Sequence, residues 1–280
     1  MLFFAAALAL VIGVSLGLLG GGGSILTVPI LVYALHVAPK PAIAASLFVV
    51  GVTSLGGMIA HARSGSVRLV GLHFGVAGMA GAYAGGRLAH FVGGELLLLG
   101  FGVVMLVTAL AMIRPRAETT QARPAVLGRI LGAGAFVGVL SGLIGAGGGF
   151  LIVPALLLFG GLTMREAIGT SLMVIAMQCF AGFAGQVAHV RVDWTLTLVV
   201  SGSALLGSLA GVRLARRTSQ ATLRKAFGWF VIAMGLFMLG KQLPLLAVAP
   251  VGVVAVALAA WMSRARPPRR IVIPLSRALP

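Results

Sequence analysis

Apolar residues run from Leu2 to Leu35 with one interruption, the run Gly20, Gly21, Gly22 and Gly23. As one helix the stretch would be roughly 50 Å long at ~1.5 Å per residue, too long for a single crossing, and each arm alone is too short for a comfortable one. Ordinary spans are predicted at 41–60, 69–88 and 95–113. A polar stretch over 114–129 follows, and then the pattern returns as a broken segment at 130–159 and spans at 166–186, 194–214 and 222–239. A last apolar helix at 245–262 leads into a basic tail. The expected organisation is therefore a first transmembrane repeat (1–113), a linker (114–129), a second repeat (130–241), an extra helix (242–263) and the tail (264–280).

The two halves share sequence as well as pattern. The stretch Gly17 to Pro29 reappears as Gly142 to Pro154, and Ala42 to Leu47 reappears as Ala167 to Leu172, at a constant offset of 125. After one inserted residue, Gly81 to Ala89 matches Gly207 to Ala215. A duplicated, glycine-broken hydrophobic segment is a pointer to a transporter whose substrate site lies between repeats. The small residues four apart in the third spans (Gly71 and Gly75; Ser203, Gly207 and Gly211) are expected to serve close helix packing.

Charge decides the expected orientation of the halves. If each broken segment is re-entrant, only Lys40, Arg87, Arg191 and Lys241 fall outside, and the other 17 of the 21 Lys and Arg fall inside. If each broken segment crosses once, the split is 8 and 13. The bias of Lys and Arg towards cytoplasmic loops selects the first arrangement, which inverts one half relative to the other and puts the linker and C-terminus in the cytoplasm. The predicted fold is an all-α polytopic membrane protein of two inverted repeats, each a broken helix pair plus three spans, with one extra C-terminal helix.

Glycine runs inside a membrane are costly to a helix, and backbone freed there needs a partner or a wet cavity. After each break a new helix begins, near Ser24 to Pro29 and near Phe150 to Pro154. Helix N-termini present N–H groups and partial positive charge, so they bind anions. Two opposed N-termini would form a midplane anion site from Gly20 to Ser24 and from Gly145, Gly147, Gly148 and Gly149. The alternative is that the glycines only permit tight crossing. No lysine followed by serine or threonine makes either run a P-loop, and no strand–helix–strand context makes it a dinucleotide site.

Polar side chains in the second spans add candidates. Ser46 and Thr53 share a helix face, as do their counterparts Ser171 and Gln178, with Thr170 beside Ser171. They could line an anion path or instead hydrogen bond within and between helices. The acids sit at ends: Glu166 completes a capping box with Thr163, Asp193 and Glu95 begin helices, and Glu118 is in the linker. No mid-membrane carboxylate is left for a cation, which favours an anion. His61, His73 and His189 read as interfacial, with His73 the best candidate for proton coupling. Arg87 and Arg213 are expected to snorkel, and Trp194, Trp229 and Trp261 to anchor at the interface.

Composition agrees: 60% of the 280 residues are hydrophobic and 9% charged, far too apolar for a soluble domain of this size. The net charge of +17 falls on connections and the tail, so it speaks for lipid and orientation rather than nucleic acid. The single cysteine, Cys179, excludes an intrachain disulfide, and no metal site, cofactor or catalytic residue is predicted.

The paired glycine signatures, the following Ala-Ile-x-x-Ser-Leu and the Gly-x-x-x-Gly-x-Arg-Leu of each third span together resemble the sulfite exporter TauE/SafE family, over nearly the whole chain. The resemblance implies a bacterial inner-membrane carrier of small sulfur-containing anions such as sulfite or organosulfonates, working on the small anion and the lipid bilayer as partners, not an enzyme. An anion channel, or a carrier of another small anion, is the alternative, and a homo-oligomer is left open. Ser24 and Ala146 stand where the other copy has glycine, so the two breaks need not contribute equally.

Overall fold

The computed structural model describes residues 2–19, 24–62, 65, 67–68, 70–113, 127–145, 148–159, 162–218 and 220–242. The 245–262 helix, the tail, most of the linker, and the candidates Gly20, Gly21, Gly22, Gly23 and Gly147 lie outside them. The protein is a helical membrane protein, with no strand among the described residues. The helices are α1 (Leu2–Leu19), α2 (Ser24–Ala34), α3 (Pro39–Ala62), α4 (Val70–Ala89), α5 (Gly94–Ile113), α6 (Leu127–Ile144), α7 (Gly149–Phe159), α8 (Met164–Gln186), α9 (Trp194–Arg217) and α10 (Gln220–Gln242). The last residues of the expected linker, 127–129, thus already belong to α6.

Among the described residues, four helices are long and apolar enough to cross a membrane by length and composition, within α1, α3, α8 and α9. Large apolar side chains such as Phe3, Phe91, Phe136 and Leu206 stand on the outer surface, as lipid contact requires. Helix α4 is less apolar because its inward face is glycine: Gly71, Gly75, Gly78, Gly81, Gly85 and Gly86 are all buried.

Those glycines set the packing. A methyl group on Gly81 or Gly85 would run into the carbonyls of Ala135 or Val139 of α6, and one on Gly138 or Gly142 into those of Gly78 or Ala82 of α4. The second such pair is α1 with α9. Gly13 and Gly17 meet the carbonyls of Ala204 and Ser208, while Gly207 and Gly211 meet those of Leu10 and Val14. Backbones this close are possible only without a Cβ, and the contact supplies dispersion where lipid offers no hydrophobic drive. Shifted by the internal offset, one set of contacts becomes the other: Gly17 on Ser208 becomes Gly142 on Ala82. Likewise Gly57 faces Leu172, and its counterpart Gly182 faces Leu47. Each half lends its third span to the other half's first helix.

The same contacts fix directions. α1 runs parallel to α9, α9 to α3, α4 to α6 and α4 to α8. In contrast, α3 and α8 are antiparallel, with Leu47 by Gly182, Gly51 by Cys179 and Gly57 by Leu172. α5 and α10 are antiparallel too, with Gly102 by Leu239 and Gly235 by Leu106. Matched helices of the two halves therefore point opposite ways. One end of the molecule gathers Lys40, Arg87, Arg191 and Lys241, and the other gathers Arg68, Arg213 and Arg217.

Helix starts follow the local chemistry. Thr163 caps α8 in a capping box with Glu166, whose carboxylate also takes the Arg68 guanidinium from the α3–α4 connection, with Nε at 2.7 Å. Asp193 caps α9 by accepting the Leu196 N–H at 3.0 Å. α2 is irregular: a 3₁₀ turn at Ser24, an α turn at Thr27–Pro29, then a π turn over Ile30–Ala34. The wide bond from the Leu35 N–H to the Ile30 carbonyl, 3.0 Å, follows Pro29, which has no N–H to continue the α ladder.

Candidate functional site

The second break is where the fold brings polar groups together. α6 ends at Ile144, the chain turns through Gly145 and Gly148, and α7 starts at Gly149. Gly145 has φ +76° and Gly148 φ +60°, both in the left-handed region that a side chain would strain. Each is also hemmed in: a methyl on Gly145 would overlap Ile43 of α3, and one on Gly148 would lie 2.8 Å from the Ser141 Cβ.

The backbone of the α6 end is held by side chains from other helices. The Ser46 hydroxyl of α3 reaches the Gly145 carbonyl and its own turn at Ile43, 2.7 Å away; with one proton it can donate to only one of them at a time. Gln186 of α8 donates to the Gly142 carbonyl at 2.7 Å. The α7 end carries the opposite polarity: the Leu151 and Ile152 N–H groups of its first turn are taken by the Gly148 carbonyl at 2.8 and 2.9 Å, and the positive end of the helix dipole faces the break.

Beside that N-terminus lie two buried polar side chains without partners among the described residues, the Ser141 hydroxyl and both ends of the Gln178 amide. The Gln178 Oε1 is 3.6 Å from where a Gly148 Cβ would sit, and its Nε2 fills the space left by the missing side chain of Gly78 on α4. Gln178 and its counterpart Thr53 lie near the middle of antiparallel α8 and α3, just beside the crossing of Gly51 and Cys179, and so at similar depth. A burial of polar atoms like this costs free energy unless something else bonds them. With the positive end of a helix, an amide and a hydroxyl converging, and no carboxylate among them, the arrangement can hold a small anion.

The other candidates divide. Ser24, Thr53 and Ser171 are buried, but Thr53 donates to the Val49 carbonyl at 2.6 Å and Ser171 to the Ile168 carbonyl at 2.8 Å, each within its own helix. Thr170 faces the α3–α4 connection and accepts the Arg68 N–H at 3.0 Å. Gly149 opens α7 and is buried. His73 stands on the outer face of α4's first turn, whereas His61, the counterpart of Gln186, is buried at the end of α3. The sequence did not single out Ser141 or Thr27, whose buried hydroxyl also has no partner among the described residues. Ser141 directly precedes the repeated glycine signature, but its counterpart is Leu16, so a search for polar residues in both copies passes over it.

A family model described as sulfite exporter TauE/SafE matches residues 5–238. A probable membrane transporter protein of Xylella fastidiosa (strain Temecula1) is 35% identical over 240 residues, covering 82% of this chain and 92% of the relative. The probable membrane transporter protein YdhB of Bacillus subtilis is 26% identical over 81% of this chain and 96% of its own. A probable membrane transporter protein of Methanocaldococcus jannaschii is 26% identical over 83% and 94%. No solved structure matches the chain.

Proposed function

Because the chain belongs to the sulfite exporter TauE/SafE family, we propose that this membrane transporter is a secondary carrier of small sulfur-containing anions such as sulfite or organosulfonates. It works by alternating access between two inverted repeats in a bacterial inner membrane, with the Arg68 end cytoplasmic. The antiparallel course of α3 and α8, and of α5 and α10, supports the inverted reading. The orientation rests on the count along the sequence, in which the end holding Lys40, Arg87, Arg191 and Lys241 receives only these four of the 21 Lys and Arg.

The observation that carries the substrate class is the Gly148 site. Ser141 offers a buried, unpartnered donor at the start of α7, and Gln178 a buried amide whose Oε1 faces Gly148; a half-turn of that amide, which exchanges its oxygen and nitrogen, brings the Nε2 donor to the break. An oxyanion placed there accepts from the amide, the hydroxyl and the backbone, and the helix start supplies the compensating field. The second break takes the larger part because Thr53, in the position matching Gln178, is already bonded to its own helix.

The test is flux into liposomes. Purified protein should move labelled sulfite or an organosulfonate, and Gly148→Ala should stop it while the protein still purifies as one species. Full flux in that variant would overturn the site. Conductance far above carrier turnover would make the protein a channel.

A further inference from the structure

At the Lys40 end lies a cavity of about 130 Å³ whose lining includes Lys40, Ile43, Gly86, His90, Gln186 and His189. Its rim is cationic and rich in donors. The Lys40 ammonium, in the first turn of α3, is tied to the His90 carbonyl beyond the end of α4 at 3.0 Å. The His90 ring lies 4.7 Å from that of His189, tilted by 50°. An imidazole carries at least one N–H donor in either tautomer, and an ammonium offers three. The carboxylates nearest in sequence to these residues, Glu95 at the start of α5 and Asp193 at the start of α9, do not line the cavity. The volume suits a small oxyanion with a water or two.

The floor of this cavity is the wall of the break. Ile43 packs against Gly145, and Gln186 holds the Gly142 carbonyl. The opposite end is built differently. There the guanidinium of Arg68 is neutralised by Glu166, and its backbone N–H is taken by Thr170.

We propose that the Lys40–His90–His189 cavity is an anion-receiving vestibule, a second binding site for a small oxyanion on the path to or from the Gly148 site. The proposal rests on the reading of the chain as an anion carrier. Lys40 supplies the attracting charge, His90 and His189 the hydrogen bonds, and Gln186 separates the vestibule from the backbone of the break.

The test uses full-length protein in lipid nanodiscs, with sulfite and sulfate as probes, titrated calorimetrically. In a Gln178→Leu background, where the Gly148 site is weakened, Lys40→Gln/His90→Gln/His189→Gln should lower the remaining affinity at least ~10-fold, the loss of one charge-assisted contact. Gln178→Leu should keep the vestibule binding and lose liposome flux. If the triple variant does not fold, Lys40→Gln alone in that background, an accessible side chain, should weaken binding at least ~3-fold. Unchanged affinity in a folded variant, or no binding of either probe by the wild type, overturns the vestibule. Binding that depends on Lys40 in a protein with no flux would leave the vestibule standing and refute the carrier reading.

Discussion

Replacing Gln178 by leucine separates an amide that holds substrate from one that holds helices together, because the two roles give stability changes of opposite sign. Both polar ends of the side chain are buried with no partner among the described residues, against Gly78 on one side and Gly148 on the other. Leaving such a group unsatisfied costs about 1–3 kcal/mol, so a leucine of similar volume should keep or raise the thermal midpoint of the empty protein. The bound anion, in contrast, loses a hydrogen bond to a charged acceptor, about 1.5–3 kcal/mol, or roughly 10- to 150-fold in affinity. Cys179 is the single cysteine and is fully buried, so a thiol-reactive fluorogenic dye reports unfolding directly. Flux is read in liposomes at an anion concentration below half-saturation. A lower midpoint with flux retained would mean that the amide is a structural partner, and the anion site would fall with it.

Three further outcomes follow from the packing and the ends. Gly142→Ala should destabilise the protein by about 1–3 kcal/mol through the overlap with the Ala82 carbonyl, whereas Gly132→Ala, in the same helix but facing open space, should be neutral or slightly stabilising in the same dye assay. Thr163→Ala removes the α8 cap and should cost about 1 kcal/mol, visible as a lower midpoint; Arg68→Gln, losing a largely exposed ion pair, should cost less. In a Cys179→Ser background, cysteines at Lys40 and Lys241 should react with an impermeant thiol reagent from one side of the membrane and cysteines at Arg68 and Arg217 from the other. Labelling of the Lys40 and Arg217 positions from one side and of the Arg68 and Lys241 positions from the other would refute the antiparallel halves.

Much of the fold could be read before any contact was known. Hydropathy is averaged along a single helix, so it located α1, α3, α8 and α9 without reference to their neighbours, and the offset of 125 matched the halves residue by residue. Capping is equally local: Thr163 with Glu166 and Asp193 with Leu196 are bonds over three residues. The likeness of the two breaks, and with it the family, is written in the order of glycines. These features depend on neighbours in the chain, and the chain alone carries them.

What the sequence could not decide is which polar group finds a partner. Ser171 and Gln178 look like equal candidates on one helix face, yet Ser171 bonds its own turn while Gln178, beside Gly78 of α4 and Gly148 of the break, has no partner among the described residues. Thr170 and Ser171 are adjacent, but a step of about 100° around the helix sends the first to Arg68. Ser141 entered the site because the turn after α6 brings Gly148 back against it, and the vestibule exists because the ends of α4 and α8 bring His90 and His189 together beside the start of α3. Satisfaction of a buried donor is a property of all the groups around it. Tertiary packing alone fixed that set here, when glycines without side chains let α4 approach α6 and α8 closely enough to leave the Gln178 amide facing the break.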